Sequence, residues 1–185
     1  MRKSIQLLVI ISLFATTQLQ AQSKTTFTVN TEEDWNNLEK TAPKDGWVLI
    51  NYDTYQYLLN YSNKDYILYL RLKCKNSSNN PSFLVEYSSN YRDGDYGGID
   101  FISSEDDSNN VIQFLIDGTD FKNPFKEKAK LKGFADALKK GTKLTIKVFD
   151  TEMDVETGKD ALKLNRAIDF KLKNADLLDT SISCD

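Results

Sequence analysis

The 185-residue chain has no histidine, and this absence excludes several familiar kinds of site. Ser-His-Asp and Cys-His catalytic systems both need an imidazole base, and every histidine-ligated metal centre is removed with them. The chain also has no P-loop and no dinucleotide-binding glycine motif. The sequence therefore predicts a protein that is not an enzyme and that uses no cofactor.

Long apolar runs are also scarce, and the only one lies at the N-terminus. Residues 1–3 are Met-Arg-Lys, residues 5–15 are mostly apolar, and small or polar residues follow up to Ala21. This order is typical of a secretory signal peptide, and an apolar run of about 11 residues is too short for the roughly 20 that span a bilayer. We predict a signal peptide over residues 1–21, and a buried N-terminal helix is the alternative.

The chain after the predicted signal peptide, residues 22–185, has the length of one domain. It carries 22 basic and 27 acidic residues, a net charge of −5, and the charges are scattered rather than in blocks. Such a chain has no general attraction for nucleic acid or for an anionic membrane. We expect one exported domain, periplasmic or secreted, without stable membrane insertion.

The two cysteines, Cys74 and Cys184, both lie in the part predicted to be exported. In an oxidising compartment a lone pair of cysteines most often forms a disulfide. We predict a Cys74–Cys184 bridge, and two separate buried thiols are the alternative.

Alternating apolar residues predict a series of short strands. The clearest is 66–74, where Leu68, Leu70 and Leu72 occupy every second position and the same alternation places Cys74 on the core face. Further strands are predicted at 25–29, 47–53, 83–87, 99–103, 111–117, 143–149 and 167–172. Residues 150–165 are charged and predict an exposed excursion between the last two strands.

Two or three short helices accompany these strands. Thr31 and Asp34 form a capping-box pattern for a helix at 32–40, and an apolar stripe supports a second helix at 125–140. Leu177, Ser181 and Cys184 would share one face if the tail, 174–184, were also helical. Seven or eight strands separated by polar turns favour a mainly β fold, an antiparallel β-sandwich.

The order of motifs in residues 66–184 resembles that of VasI-like exported β-sandwich proteins associated with type VI secretion. The segments that carry this resemblance are YLRLKC, FADALKKGTKLTIKV and IDFKLKNADLLDTSISC. Phe134, Leu138 and Leu144 match the helix-to-strand part of the pattern, and Phe170, Leu172 and the final cysteine match its end. The resemblance implies a β-sandwich fold and a paired C-terminal cysteine.

The stretch NYRDGDYGGIDF, residues 90–101, places Asp93, Asp95 and Asp100 among three glycines. An EF-hand calcium loop that starts at Asp93 would need an acid at its twelfth position, which is Ser104. Glycine and aspartate are also common in hairpin turns. We therefore predict a turn, and the three aspartates remain weak candidates for a metal site.

Tyrosine is in surplus in residues 51–70, and four members of this group are our candidate binding residues: Tyr52, Tyr55, Tyr57 and Tyr61. A tyrosine ring has an apolar face and a polar tip, which suits sugar stacking and protein interfaces. The alternative is that tyrosine is simply a good residue for half-exposed strands.

Three functions remain open from the sequence. The first is a non-enzymatic binding or accessory protein of the cell envelope, linked to a secretion system or to toxin neutralisation, with a protein or glycan partner. The second is a carbohydrate-binding module that uses the tyrosines. The third is a glycoside hydrolase with two carboxylates, for which the acids on predicted strands are Glu86, Asp100 and Asp169.

Overall fold

The fold is seen in a computed structural model that describes residues 24–76, 80–87, 102–104, 111–153 and 158–184. The predicted signal peptide and the three aspartates Asp93, Asp95 and Asp100 lie outside these residues. The described strands are β1 (Thr26–Thr28), β2 (Trp47–Tyr52), β3 (Tyr55–Asn60), β4 (Tyr66–Arg71), β5 (Ser82–Tyr87), β6 (Ile102–Ser103), β7 (Val111–Ile116), β8 (Thr119–Asp120), β9 (Lys143–Met153) and β10 (Asp160–Lys171). The helices are α1 (Glu32–Thr41), α2 (Lys128–Lys140) and a 3₁₀ helix (Ala175–Asp179).

The strands form two sheets, as expected for a mainly β sandwich. One sheet has six strands in the order β1-β2-β3-β4-β5-β6, and the other has four in the order β10-β9-β7-β8. Neighbouring strands in the described part are antiparallel, except that β1 runs parallel to β2. The predicted fold class is therefore confirmed.

The main core lies between the two sheets and includes the buried face of α2. Leu68 and Leu70 of β4 face this core, as their alternation predicted, and Phe134 and Leu138 of α2 are fully buried in it. Phe83 and Phe114, from opposite sheets, meet edge to face with ring centroids 4.9 Å apart. We call the side of the six-stranded sheet that borders this core its inner face.

A second core lies on the opposite, outer face of the six-stranded sheet. Leu38 of α1 is fully buried there against aliphatic residues of the sheet, namely Val48, Ile50, Leu59 and Ile67. The capping box predicted for α1 is present: the Asp34 amide donates to Thr31 Oγ1, and the amide of Thr31 donates to the Asp34 carboxylate. Helix α1 thus covers one half of the outer face, which we call the α1-covered half.

The C-terminal tail is fixed to the end of β4 by the predicted disulfide. Cys74 and Cys184 are joined across 110 residues, with their Cα atoms 5.6 Å apart. Ile182 is fully buried in the main core and pairs with Cys74 in a short parallel bridge. The next residue, Ser183, donates its amide to the Gln56 side chain at 2.8 Å.

Two predictions about the cysteines are wrong. The tail is a short 3₁₀ helix, so Leu177, Ser181 and Cys184 do not form a helical stripe. Strand β4 ends at Arg71, so Cys74 lies beyond it, half-buried rather than within the core face. The bridge forms because the extended tail runs beside residues 73–75, where the Ile182 amide donates to the Lys73 carbonyl and the Ile182 carbonyl accepts from the Lys75 amide.

Strand β3 was missed by the sequence analysis because it is buried on both faces. Leu58 belongs to the main core and Leu59 to the core under α1, so the apolar residues are adjacent rather than alternating. The two-residue strand β8 was also missed.

The predicted excursion at 150–165 is largely strand. Strand β9 continues to Met153 and β10 begins at Asp160, so the two extend past the rest of the sheet as a paired ribbon. Their residues there are mostly exposed, and a ribbon with two solvated faces gives no apolar alternation. In the described part of the chain, no helix combines the length and the apolar character needed to cross a bilayer.

Candidate ligand-binding site

The strand register decides which side chains share the outer face of the six-stranded sheet. Tyr57 pairs with Ile50, and Tyr69 pairs with Leu59 and Leu84. Because directly paired residues lie on the same face, these side chains follow Ile50 and Leu59 onto the outer face. Beyond the part covered by α1, this face carries Tyr55, Tyr57, Tyr69, Arg71 and Leu84, a surface that we call the tyrosine half.

The structure separates the four candidate tyrosines into three environments. Tyr55 is 39 % exposed and stacks with half-buried Tyr57 at a centroid distance of 6.4 Å, so these two belong to the tyrosine half. Tyr52 is 41 % exposed and contacts the ring of Trp35 on α1, 6.3 Å away. Tyr61 is only 7 % exposed and is part of the core under α1, with the Lys44 ammonium above its ring.

Arg71 is the one cation within the tyrosine half. Its guanidinium carbon lies 4.4 Å from the ring centroid of Tyr57 and 5.8 Å from that of Tyr55. Its Nε is buried and has no hydrogen-bond partner among the described residues, and none of the ion pairs of that part of the chain involves Arg71. Arginine stays protonated in proteins, and a buried donor without an acceptor is unfavourable. Because Arg71 as a whole is only half-buried, its charge can still meet an acceptor from outside the chain.

Arg71 lines a cleft of about 330 Å³ in the tyrosine half, which we call the Arg71 cleft. Its lining residues are Tyr57, Tyr69, Leu70, Arg71, Ser82, Phe83, Leu84, Ser103 and Ser104. The side chains of Leu70 and Phe83 belong to the main core, so only their backbone borders the cleft. The remaining residues provide one guanidinium, one leucine and five hydroxyl groups, and the volume falls within the usual range of small-molecule sites.

Tyr69, which separates the cleft from the core under α1, remains neutral over a wide pH range. Burial raises the pKa of the Tyr69 hydroxyl well above its ordinary value, and the nearby Glu86 carboxylate, to which it is hydrogen-bonded, raises it further. Tyr69 consequently keeps its proton and borders the cleft as a neutral phenol.

A second arginine, Arg166 on β10, lies between two tyrosines on the inner side of the sheet. It donates from Nη1 to the hydroxyls of Tyr66 and Tyr87 at 3.2 and 3.4 Å, and from Nε to the side chain of Asn165 at 3.0 Å. Arg166 is therefore a hydrogen-bonded structural residue, in contrast to Arg71.

A second cleft, of about 410 Å³, lies between α2 and the 3₁₀ helix and is rich in lysine. We call it the lysine cleft, and its basic residues are Lys73, Lys128, Lys132 and Lys139. Lys139 is paired with Asp179, and Lys73 donates to the Asp179 carbonyl. These lysines have partners or are exposed, so they form a general cationic surface rather than a built site.

The acids considered for glycoside hydrolysis are not brought together. Glu86 lies on the outer face of the six-stranded sheet beside Tyr69, whereas Asp169 pairs with Thr145 on the exposed face of the other sheet. Asp100 lies outside the described residues. Among those residues, no group of three potential ligands from histidine, cysteine, aspartate and glutamate is placed to hold a metal ion.

The candidate residues from the sequence include neither Arg71 nor Tyr69, although Tyr69 lies in the tyrosine-rich stretch 51–70. Both lie in the strand predicted at 66–74, where the alternating leucines indicate the core-facing side. The signal was the opposite phase of that alternation: Tyr69, Arg71 and Ser82 have to lie on the face away from the leucines.

In comparisons with known proteins, no family model, curated protein or solved structure matches the chain. The resemblance to VasI-like proteins is neither supported nor contradicted by them.

Proposed function

We propose that the protein is a non-enzymatic, exported binding protein of the cell envelope, and that it binds its partner with the tyrosine half and the Arg71 cleft. The observation that carries this proposal is Arg71, a permanently charged side chain with a buried Nε that no described residue accepts from. Arg71 as a whole is only half-buried and lines the cleft, so its charge is within reach of a ligand there.

Export is supported by two features at opposite ends of the chain. Residues 1–21 have the order of a signal peptide, and Cys74 and Cys184 form a disulfide of the kind that persists in oxidising compartments. Within the envelope, the accessory role is linked to a secretion system or to toxin neutralisation, in line with the VasI-like motif order.

A carbohydrate ligand is favoured over a protein partner by the chemistry of the Arg71 cleft. Of the described side chains that line it, five bear a hydroxyl group and one, Leu84, is aliphatic. Protein interfaces are usually centred on larger apolar clusters, so this lining suits a polyhydroxylated ligand better.

Export is tested by sequencing the N-terminus of the protein isolated from its host. We expect the first residue to be Gln22, because the small residue Ala21 stands at the predicted cleavage position. A sequence that begins at Met1 or Arg2 would contradict export.

Binding is tested by retention of envelope components on immobilised residues 22–185. The cleft variant is Arg71→Gln combined with Tyr57→Ala, and the control is Lys147→Gln on the exposed face of the four-stranded sheet. We expect the wild type and the control to retain the same envelope component and the cleft variant to lose it. Retention by all three proteins alike would show that the tyrosine half is not the binding surface.

A further inference from the structure

The guanidinium of Arg71 indicates the charge of the ligand that the cleft would bind. The guanidinium carbon lies 4.4 Å from the ring centroid of Tyr57, and the N–H groups of a guanidinium all lie in its plane. A planar guanidinium pairs best with an oxyanion that accepts two parallel hydrogen bonds. A neutral acceptor would satisfy Nε but would leave the charge uncompensated.

Among the described residues, no carboxylate forms an ion pair with Arg71. The described carboxylate on the outer face of β5 is Glu86, which lies close enough to Tyr69 to raise the pKa of its hydroxyl. Glu86 is also four residues along β5 from Ser82, the residue that pairs directly with Arg71. Within the described part of the chain, no carboxylate therefore lies directly opposite the guanidinium across β5.

The other residues of the cleft indicate what kind of molecule would carry the anionic group. Tyr57 and the exposed ring of Tyr55 offer aromatic surface beside the guanidinium, and Ser82, Ser103 and Ser104 supply hydroxyls along the other wall. Aromatic surface together with several hydroxyls matches a sugar ring, which has apolar C–H faces and a polar edge. An extended peptide would bind more naturally at a strand edge than on the face of a sheet.

We propose that the Arg71 cleft binds an acidic sugar, with its carboxylate or sulfate on the Arg71 guanidinium and its ring against the tyrosines. This inference rests on the proposed binding function and deepens it by naming the class of ligand. Arg71 recognises the negative charge of the ligand, and the serines favour a hydroxylated sugar ring over an apolar molecule.

The test is calorimetric titration of residues 22–185 with four defined probes. Oligogalacturonate carries carboxylates, dextran sulfate carries sulfates, unmodified dextran is neutral, and polyglutamate is an acidic peptide. We expect binding of at least one of the two anionic sugars and no binding of dextran or polyglutamate. The two anionic sugars distinguish a carboxylate from a sulfate as the recognised group.

Variants then locate the binding site. Arg71→Gln should weaken binding about ten-fold or more, since it removes charge-assisted hydrogen bonds, and Arg71→Lys should recover only part of the loss because lysine lacks the planar fork. The double variant Lys128→Gln with Lys132→Gln in the lysine cleft is the matched control for nonspecific attraction and should bind like the wild type. Ser82→Ala, which leaves the arginine intact, should weaken binding by a smaller factor.

Several results would overturn the inference. They are no binding of either anionic sugar, equal binding of polyglutamate, or a loss of binding in the lysine-cleft variant but not in Arg71→Gln. If the sugars fail while an envelope component is still retained through the tyrosine half, the binding function stands and only the ligand class is wrong. If that retention also fails, the binding function falls as well. Circular dichroism of each variant confirms that it is folded.

Discussion

The α1-covered half and the tyrosine half of the outer sheet face are built on the same strands, β3 and β4, but with different residues. Under α1 these strands present Leu59 and Ile67, which are buried, whereas beyond α1 they present Tyr57 and Arg71, which are partly accessible. Aliphatic side chains gain stability only when they are covered, and tyrosine and arginine can serve at a surface that contacts both protein and ligand. The difference indicates that one half contributes stability and the other binding.

The largest effect is expected from the disulfide, which joins the C-terminal tail to the end of β4, a strand that contributes to both halves. Cys184→Ser should lower the free energy of unfolding by about 2 to 5 kcal/mol, because the bridge closes a loop of 110 residues and the buried Ile182 loses its anchor. The measurement is chemical denaturation of oxidised wild type and variant. An unchanged midpoint would mean that the tail is held by packing alone.

The comparison of the halves is tested directly by one leucine from each. Leu38→Ala should cost about 2 to 5 kcal/mol, because Leu38 is fully buried between α1 and the sheet. Leu84→Ala in the tyrosine half should cost less than about 1 kcal/mol, because Leu84 is only half-buried. Equal costs in thermal unfolding would contradict the division into a stabilising half and a binding half.

The two arginines give a smaller contrast of the same kind. Arg166→Gln should destabilise the protein by about 1 kcal/mol, since it removes the hydrogen bonds to Tyr66 and Tyr87. Arg71→Gln should change the free energy of unfolding by less than about 0.5 kcal/mol. The arginine donates no hydrogen bond to a described residue, and the loss of its contact with the Tyr57 ring is offset by the removal of an unpaired buried donor. A large loss in Arg71→Gln would make Arg71 structural and weaken its assignment to ligand binding.

The smallest effect concerns pH and acts through α1. Hydrogen bonds from the Asn30 backbone and from Thr31 lower the pKa of Asp34 below its ordinary value of 3.8. The carboxylate therefore stabilises the fold fully at pH values well above 3.8, and this contribution is lost as the pH falls through the lower folded value. The Tm of the wild type should exceed that of Asp34→Asn near pH 7, and the gap should close toward pH 2. A gap that is independent of pH would contradict the role of the charged cap.

The elements with one buried face were predictable from the sequence, and those with two similar faces were not. Strands β4, β5 and β7 alternate because one side meets the main core, and α1 begins at a capping box that is visible in Thr31 and Asp34. Strand β3 has two buried faces and the β9–β10 ribbon has two exposed ones, so neither shows alternation. The candidate site was predicted in part: Tyr55 and Tyr57 lie in it, Tyr52 lies beside Trp35, and Tyr61 is in the core.

By itself, the sequence determined the class of fold, the start of α1 and the pairing of the only two cysteines. These follow from local periodicity, from a cap that spans four residues, and from the lack of any other thiol partner. Only the tertiary structure decided that α1 covers one half of the sheet and leaves Arg71 beside Tyr57 on the other. That outcome depends on the register of β3, β4 and β5 and on where a helix docks, and both are set by contacts between residues far apart in the chain.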